Sequence, residues 1–184
     1  MSATNRGAVR RPDDFYETPV WLTEALIPHL QPYRPHRILE PATGGGAITR
    51  VLRRHFPGGI IVEGDIRTEQ DFLTHEYAPP FDLIITNPPY SLAEEFIERA
   101  LPLRSNRGAV VMLLRINFLG AQKRARFLRA FTPSIYVSPR RPSFTGGGSD
   151  ATEYAWFVWD MHEPRVVILD TEHCDTTGDL FAEK

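Results

Sequence analysis

The sequence predicts an α/β fold: a Rossmann-like, doubly wound, mostly parallel sheet with helices on both faces and an antiparallel strand at one edge. Three observations carry this expectation. Short apolar runs alternate with segments whose apolar residues recur at helical spacing. The first such pair is joined by a glycine-rich turn, Glu40-Pro41-Ala42-Thr43-Gly44-Gly45-Gly46, of the kind that opens a βαβ unit. The last apolar runs follow one another with no helical segment between them, which calls for an antiparallel pairing.

Taken in order, residues 1–13 are polar, carry Arg6, Arg10 and Arg11, and read as a flexible arm ahead of a single domain spanning 14–170. In Phe15-Tyr16-Glu17-Thr18-Pro19, Thr18 reads as a helix N-cap with Pro19 at the first helical position, and Pro28 as the end of that helix. Arg37-Ile38-Leu39 is a short strand running into the glycine turn. Ile48, Val51, Leu52 and Phe56 then mark a helix, stopped by Pro57-Gly58-Gly59, and Ile60-Ile61-Val62 begins a second strand. A weaker element passes through Asp71-Phe72-Leu73.

Phe81 to Thr86 is a third strand, followed by a helix from Ser91 to about Leu101 that Ser91 and Glu94 are spaced to cap. Its apolar stripe is Leu92, Phe96, Ile97, Ala100 and Leu101. Gly108 to Leu114 is an unbroken apolar run, as expected of a strand buried on both faces. A basic helix from Gly120 to about Ala130 follows, then strands at Ile135–Val137, Tyr154–Trp159 and, at the edge, Val166–Leu169. Residues 171–184 read as a tail.

Composition narrows the function classes. The chain has 184 residues, 42% apolar and 24% charged, which suits one soluble domain with a substantial core. The formal charge of −2 imposes no basic surface, so nucleic-acid binding would rest on local clusters of Lys and Arg. No apolar run approaches the roughly 20 residues of a membrane span, and no apolar signal core follows the N-terminus. A cytoplasmic protein with no membrane partner is expected. Cys174 is the sole cysteine, which excludes an internal disulfide framework. The isolated His55, His75 and His162 lack metal-ligand spacing, so no metal is assigned.

The glycine turn is selective about its ligand. A dinucleotide fingerprint needs a further glycine where Thr49 stands, and no Gly-Lys-Ser/Thr follows for a phosphate loop. What remains is a glycine turn headed by Glu40, which disfavours a pyrophosphate and favours a ligand with a cationic end. Glu63 and Asp65 close the second strand, where a carboxylate accepts from both hydroxyls of a ribose; either one suits that role. Asp71 is placed to accept from an adenine amino group while Phe72 packs on the base. Ribose, adenine and a positive end together describe S-adenosylmethionine better than NAD or ATP.

Asn87-Pro88-Pro89-Tyr90 follows the third strand, at the carboxyl end where open α/β sheets bind ligands. Two prolines stiffen the turn and donate no N–H, leaving the Asn87 side-chain oxygen and the Asn87 and Pro88 carbonyls as acceptors beside the flat face of Tyr90. That arrangement suits a planar ligand with an exocyclic amine.

With these pieces placed, the chain resembles the class I S-adenosylmethionine-dependent methyltransferases. More narrowly, it resembles the small phage-type amino-methyltransferases acting on N6 of adenine in DNA. The similarity runs from Phe15 to about Trp159, and its most specific marks are Asn87-Pro88-Pro89-Tyr90 and its spacing after Glu40-Pro41-x-x-Gly44-x-Gly46.

The resemblance implies that Tyr16, Thr18 and Pro19 touch the methionine end of the cofactor. It implies that Glu40, Pro41, Ala42, Gly44 and Gly46 form the cofactor loop. Asp65 and Asp71 become the ribose and adenine carboxylates, and Phe96 lines the pocket. Asn87, Pro88, Pro89 and Tyr90 become the catalytic turn. DNA is the implied partner, read by base extrusion with Tyr90 and Phe144 as stacking faces and Arg115, Lys123, Arg124 and Arg140 at phosphates; Arg126, Arg129 and Arg141 lie in the same basic segments. The family's longer members carry a separate target-recognition region that this chain lacks. The same turn also occurs in methyltransferases of RNA adenine and of protein glutamine, and the fold also serves as a non-catalytic subunit, so these stand as alternatives. The oligomeric state is left open.

Overall fold

The computed structural model describes residues 17–144 and 152–172. The arm at 1–13, Tyr16, and Cys174 with the tail beyond 172 lie outside the described residues.

Seven strands form one sheet: β1 (Arg37–Glu40), β2 (Ile60–Glu63), β3 (Phe81–Thr86), β4 (Arg104–Arg115), β5 (Ser134–Val137), β6 (Tyr154–Trp159) and β7 (Val166–Ile168). Their spatial order is β2-β1-β3-β4-β6-β5-β7. β1 pairs in parallel with both β2 and β3, and β3 with β4. β6 is antiparallel to β4 and to β5, and β7 runs parallel with β5. The expected antiparallel strand is thus β6, set between β4 and β5 on that side of the sheet.

The central strands are buried on both faces, with successive residues joining opposite cores. In β4, Ala109, Val111 and Leu113 join one core while Val110, Met112 and Leu114 join the other. The first core is closed by α1 (Val20–Leu30), through Leu22, Ala25, Leu26 and Leu30, and by α2 (Ala47–His55), through Ile48, Val51 and Leu52. The second is closed by α3 (Ala93–Ala100), through Phe96, Ile97 and Ala100, with Phe118 beside them. Phe127 and Leu128 of α4 (Ala125–Ala130) pack against its margin.

Local signals and tertiary demands part company at several points. Helix α1 starts one residue later than expected, with Pro19 at the N-cap and no side-chain cap. Thr18 is spent elsewhere. Pro28 does not end α1, which continues to Leu30 because Ile27 and Leu30 are needed in the core.

Ser91 does not cap α3. A single 3-10 turn over Tyr90–Leu92, closed by Leu92 N–H on the Pro89 carbonyl, precedes the helix, which begins at Ala93 with Leu92 at its N-cap. The basic helix is shorter than expected: 3-10 turns occupy Ile116–Gly120 and Gln122–Arg124, and only Ala125–Ala130 is α-helical. The Asp71–Leu73 element is a turn, in which the Asp71 carbonyl accepts from Thr74 and His75.

β1 is the switch point. Chain entering from β1 leaves through α2 to β2 on one flank, while β3 lies on the other flank. The glycine turn after β1 and the proline turn after β3 therefore face each other across the crevice at the carboxyl ends of adjacent strands.

Candidate active site

That crevice is a cavity of about 640 Å³. Its walls come from the residues leading into α1 (Glu17, Thr18), the glycine turn, the segment after β2, the Asp71 turn and the turn after β3. Each wall is held by identifiable contacts.

The glycine turn takes its shape from left-handed backbone at Gly44 (φ 56°) and Gly46 (φ 77°), where a side chain would be strained. Thr43 N–H donates to the Gly64 carbonyl at 2.9 Å and Gly44 N–H to Asp65 Oδ2 at 2.7 Å, tying this turn to the end of β2. Pro41, Ala42, Gly44 and Gly45 reach the wall; Gly46 sits one step back, as N-cap of α2.

Glu40 does not reach the cavity. It is fully buried beneath the turn, and neither carboxylate oxygen finds a hydrogen-bond partner of ordinary geometry among the described residues. Burial pushes its carboxyl up to about 8; the nearby Thr86 hydroxyl and Ala42 backbone offset this in part, while Glu63 and Asp65 add to it. Burial thus favours the uncharged form of Glu40 beneath the turn.

Glu63 and Asp65 lie in different surroundings. Glu63 turns away to Arg53 of α2, at 2.5 Å, and Asp65 lies in the cavity wall. Asp65 is nevertheless engaged. Its Oδ1 accepts from the Arg67 backbone N–H (2.8 Å) and Nε (2.9 Å), and its Oδ2 from Arg67 Nη2 (2.8 Å). The Arg67 guanidinium holds this carboxyl below its usual range, with burial opposing. Arg67 Nη2 also reaches the Gly44 carbonyl at 2.6 Å, bridging the two turns.

Asp71 lines the cavity, its Oδ1 accepting from Leu73 N–H at 3.0 Å. Phe72 and Phe96 form the apolar wall, their rings 4.9 Å apart and tilted, and Phe72 is nearly fully buried. Ile66, 72% exposed, forms an apolar lip beside Asp65 that the sequence reading missed. Its signal was present: a large apolar residue directly after an acid just beyond the second strand. Arg67 and Glu17, the latter paired with Arg50 at 2.8 Å, carried no such mark.

On the β3 side, Asn87, Pro88, Pro89 and Tyr90 all line the cavity, as expected. Asn87 Nδ2 donates to Thr18 Oγ1 at 3.1 Å. An amide anchored through its nitrogen carries its acceptor oxygen on the other branch. Thr18 is 4% exposed, and the entry to α1 that carries it is pinned by the buried Trp156 of β6, whose Nε1 donates to the Leu22 carbonyl at 3.0 Å. Tyr90 is backed by Arg115, whose guanidinium lies over the ring at 4.8 Å and donates through Nε to the Tyr154 hydroxyl at 3.2 Å.

The remaining expected substrate contacts lie outside this cavity. Phe144 packs edge-on against Tyr154 at 5.0 Å rather than over Tyr90. Arg124 lies on the Phe118 ring at 4.4 Å and donates to the Phe118 carbonyl, while Lys123 is exposed beside it. Arg140 lies over Trp21 at 4.7 Å, and Pro19 lines a second groove beside Trp21 and Arg140 instead of the main cavity.

This sheet order, with its cavity at the β1/β3 switch point, is a Rossmann-like fold shared with class I S-adenosylmethionine-dependent methyltransferases. Solved structures share it. One is a protein of Listeria monocytogenes described as a class I S-adenosylmethionine-dependent methyltransferase: TM-score 0.58, 14% identity, covering 90% of this chain and 70% of that one. A second, from Vibrio vulnificus, is described as a modification subunit of a type I restriction enzyme: TM-score 0.61, 13% identity, 84% of this chain but only 46% of that longer one. The plantazolicin methyltransferase BpumL in complex with SAH is a third: TM-score 0.51, 14% identity, 76% and 83%. Likeness at these identities is a likeness of fold. No protein-family model and no curated protein matches the sequence. No helix among the described residues is long and apolar enough to cross a membrane.

Proposed function

We propose that the chain binds S-adenosylmethionine and transfers its methyl group to the N6 amine of adenine in DNA. The observation that carries this is the Thr18–Asn87 hydrogen bond, which orients an amide in the wall of a cavity whose other walls suit a nucleoside.

The residues present fit the cofactor. Left-handed glycines bring backbone close to the ligand, Phe72, Phe96 and Ile66 offer apolar surface to a base, and Asp71 offers an acceptor to its amino group. Asp65 offers two oxygens to a ribose once the exposed Arg67 side chain moves off them. When bound there, S-adenosylmethionine supplies an electrophilic methyl group on a sulfonium.

The chain's own part concerns the acceptor. An exocyclic amine conjugated with its ring is a poor nucleophile because its lone pair is delocalised. The Asn87 amide oxygen and the Pro88 carbonyl, held by a turn that two prolines stiffen, accept from the two N–H groups and favour a pyramidal nitrogen. Each bond contributes about 0.5–1.5 kcal/mol in a neutral pair. The contribution is larger where the bond strengthens as positive charge develops on nitrogen. Tyr90, backed by Arg115, supplies the face that holds the base flat. No covalent intermediate is required.

DNA is favoured over other acceptors by the match of Asn87-Pro88-Pro89-Tyr90 to the adenine-N6 enzymes and by a fold neighbour described as a restriction-enzyme modification subunit. The test offers methyl-labelled S-adenosylmethionine with duplex DNA, single-stranded DNA, RNA and a protein mixture. Label recovered as N6-methyladenine from DNA is the expected result. Label confined to protein would refute the reading.

A further inference from the structure

Asp71 and Phe72 stand on an irregular segment, residues 69–80, that adds neither a strand to the sheet nor a helix to its faces. We infer that Arg99 of α3 is the positioning residue for this wall, and that it sets the preference of the cavity for adenine over a base bearing oxygen in place of the 6-amino group. This assignment rests on the reading of the cavity as an S-adenosylmethionine site.

The turn satisfies only part of its own backbone. Asp71 Oδ1 accepts from Leu73 N–H at 3.0 Å, and the Asp71 carbonyl accepts from Thr74 and His75 N–H at 3.0 and 2.7 Å. The Phe72 and His75 carbonyls take donors from outside it: Arg99 Nε at 2.9 Å and Arg99 Nη2 at 2.7 Å. These two nitrogens share one edge of the planar guanidinium, so one side chain fixes both carbonyls at a set spacing. A cationic donor makes such bonds stronger than neutral ones.

Phe96 stands three residues before Arg99 on the same helix, and its ring meets Phe72 at 4.9 Å. Helix α3 therefore supports both the backbone of the turn and the ring that the turn offers to the cavity.

The consequence for the ligand is chemical. A 6-amino group donates to the Asp71 carboxylate, whereas a 6-oxo group meets it acceptor to acceptor. Rejecting the second base requires the carboxylate to stay in place, because apolar contact with Phe72 and Phe96 accepts either ring. A turn released from Arg99 spends part of its time elsewhere, and the preference narrows by that fraction.

The far end of the segment supplies a control. Arg37 Nη2 donates to the Ala78 carbonyl at 2.9 Å and Nη1 to the Pro80 carbonyl at 3.3 Å, and neither Ala78 nor Pro80 lines the cavity.

The experiment titrates the full-length chain by calorimetry with S-adenosylhomocysteine and with S-inosylhomocysteine, its 6-oxo counterpart. The variants are Arg99→Ala, Arg99→Lys, Arg37→Ala and Asp71→Asn, each checked by thermal melting. Arg99→Ala is expected to weaken the adenosyl ligand about tenfold and the inosyl ligand by less than about threefold. Arg99→Lys keeps the charge without the fork, falls between, and serves if the alanine variant does not fold. Arg37→Ala should lower the melting temperature and leave the preference unchanged. Asp71→Asn offers a donor beside the acceptor and should narrow or reverse the preference.

Equal losses for both ligands in Arg99→Ala, or a preference lost as much in Arg37→Ala, would mean that Arg99 supports the fold alone and would overturn the inference while the cofactor reading stands. A preference that survives Asp71→Asn overturns the adenine role of Asp71 and the role of Arg99 with it. A wild type that binds neither ligand overturns the cofactor reading and this inference together.

Discussion

The Thr18 hydroxyl accepts from the side-chain amide of Asn87 at 3.1 Å, joining the lead-in to α1 with the turn that ends β3. This bond holds the amide nitrogen of Asn87, and two predictions separate its parts. Asn87→Ala removes the acceptor itself, and methyl transfer should fall by about a hundredfold or more. Thr18→Val keeps the acceptor but frees it to rotate, and the rate should fall by about tenfold, on the order of 1.4 kcal/mol. Single-turnover rates at saturating S-adenosylmethionine measure both, with calorimetry expected to show cofactor affinity changed by less than about threefold. An Asn87→Ala protein of normal rate would remove the catalytic role assigned to this turn.

In the proposed cofactor site, Arg67 stands on the Asp65 carboxylate that a ribose would use. If the cofactor needs Asp65, the population in which Arg67 is off Asp65 scales the apparent affinity. Arg67→Ala is therefore expected to tighten S-adenosylmethionine binding by about threefold, whereas Asp65→Asn weakens it by about tenfold. Isothermal titration decides between this and the opposite sign for Arg67, which would mean that the guanidinium touches the ligand directly.

The buried Glu40 makes stability depend on pH. Its folded value of about 8 lies above the ordinary 4.5 of a free glutamate, so the unfolded chain ionises first. The contribution from a neutral Glu40 is complete below about pH 4.5 and is lost progressively as pH rises toward 8. Glu40→Gln keeps the shape without the charge and should remove this loss. Relative to wild type, the variant gains a few kcal/mol between pH 5 and pH 8. Urea unfolding at the two pH values measures the gain; equal differences at both would show that Glu40 does not titrate in this window.

Gly108 stands where β3 and β4 shift register. A Cβ there would meet the Asp82 carbonyl oxygen at 2.7 Å and that of Phe81 at 2.9 Å, both backbone atoms that cannot swing aside. Gly108→Ala should cost about 1–3 kcal/mol, read as a lowered urea midpoint with an unchanged m-value. Since β3 leads into the turn proposed to be catalytic, activity measured well below the midpoint should fall as well. A variant of wild-type stability would mean that the ladder yields at this point.

Much of the fold was written locally. The run from Gly108 to Leu114 announced a strand buried on both faces, and the apolar spacing of Ile48, Val51 and Leu52 announced the helix that covers one of them. Helix ends were less legible. Thr18 has the chemistry of a cap, yet its hydroxyl is used by Asn87; Ser91 has the spacing of one, yet a 3-10 turn intervenes. A short polar side chain serves whichever partner the fold brings near, and its neighbours in sequence do not name that partner.

By itself, the sequence determined the alternation of strands and helices, the glycine turn after β1 and the proline-stiffened turn after β3, because periodicity and backbone restriction act between close neighbours. Only the tertiary structure decided that Asn87 is oriented by Thr18, that Glu63 turns to Arg53 while Asp65 faces the cavity under Arg67, and that Glu40 is buried with its carboxyl pushed toward the uncharged form. The physical reason is that these pairings depend on strand order and register, which place distant residues side by side. Burial then sets the charge of a carboxyl, and a local reading assigns it the charge it has in water.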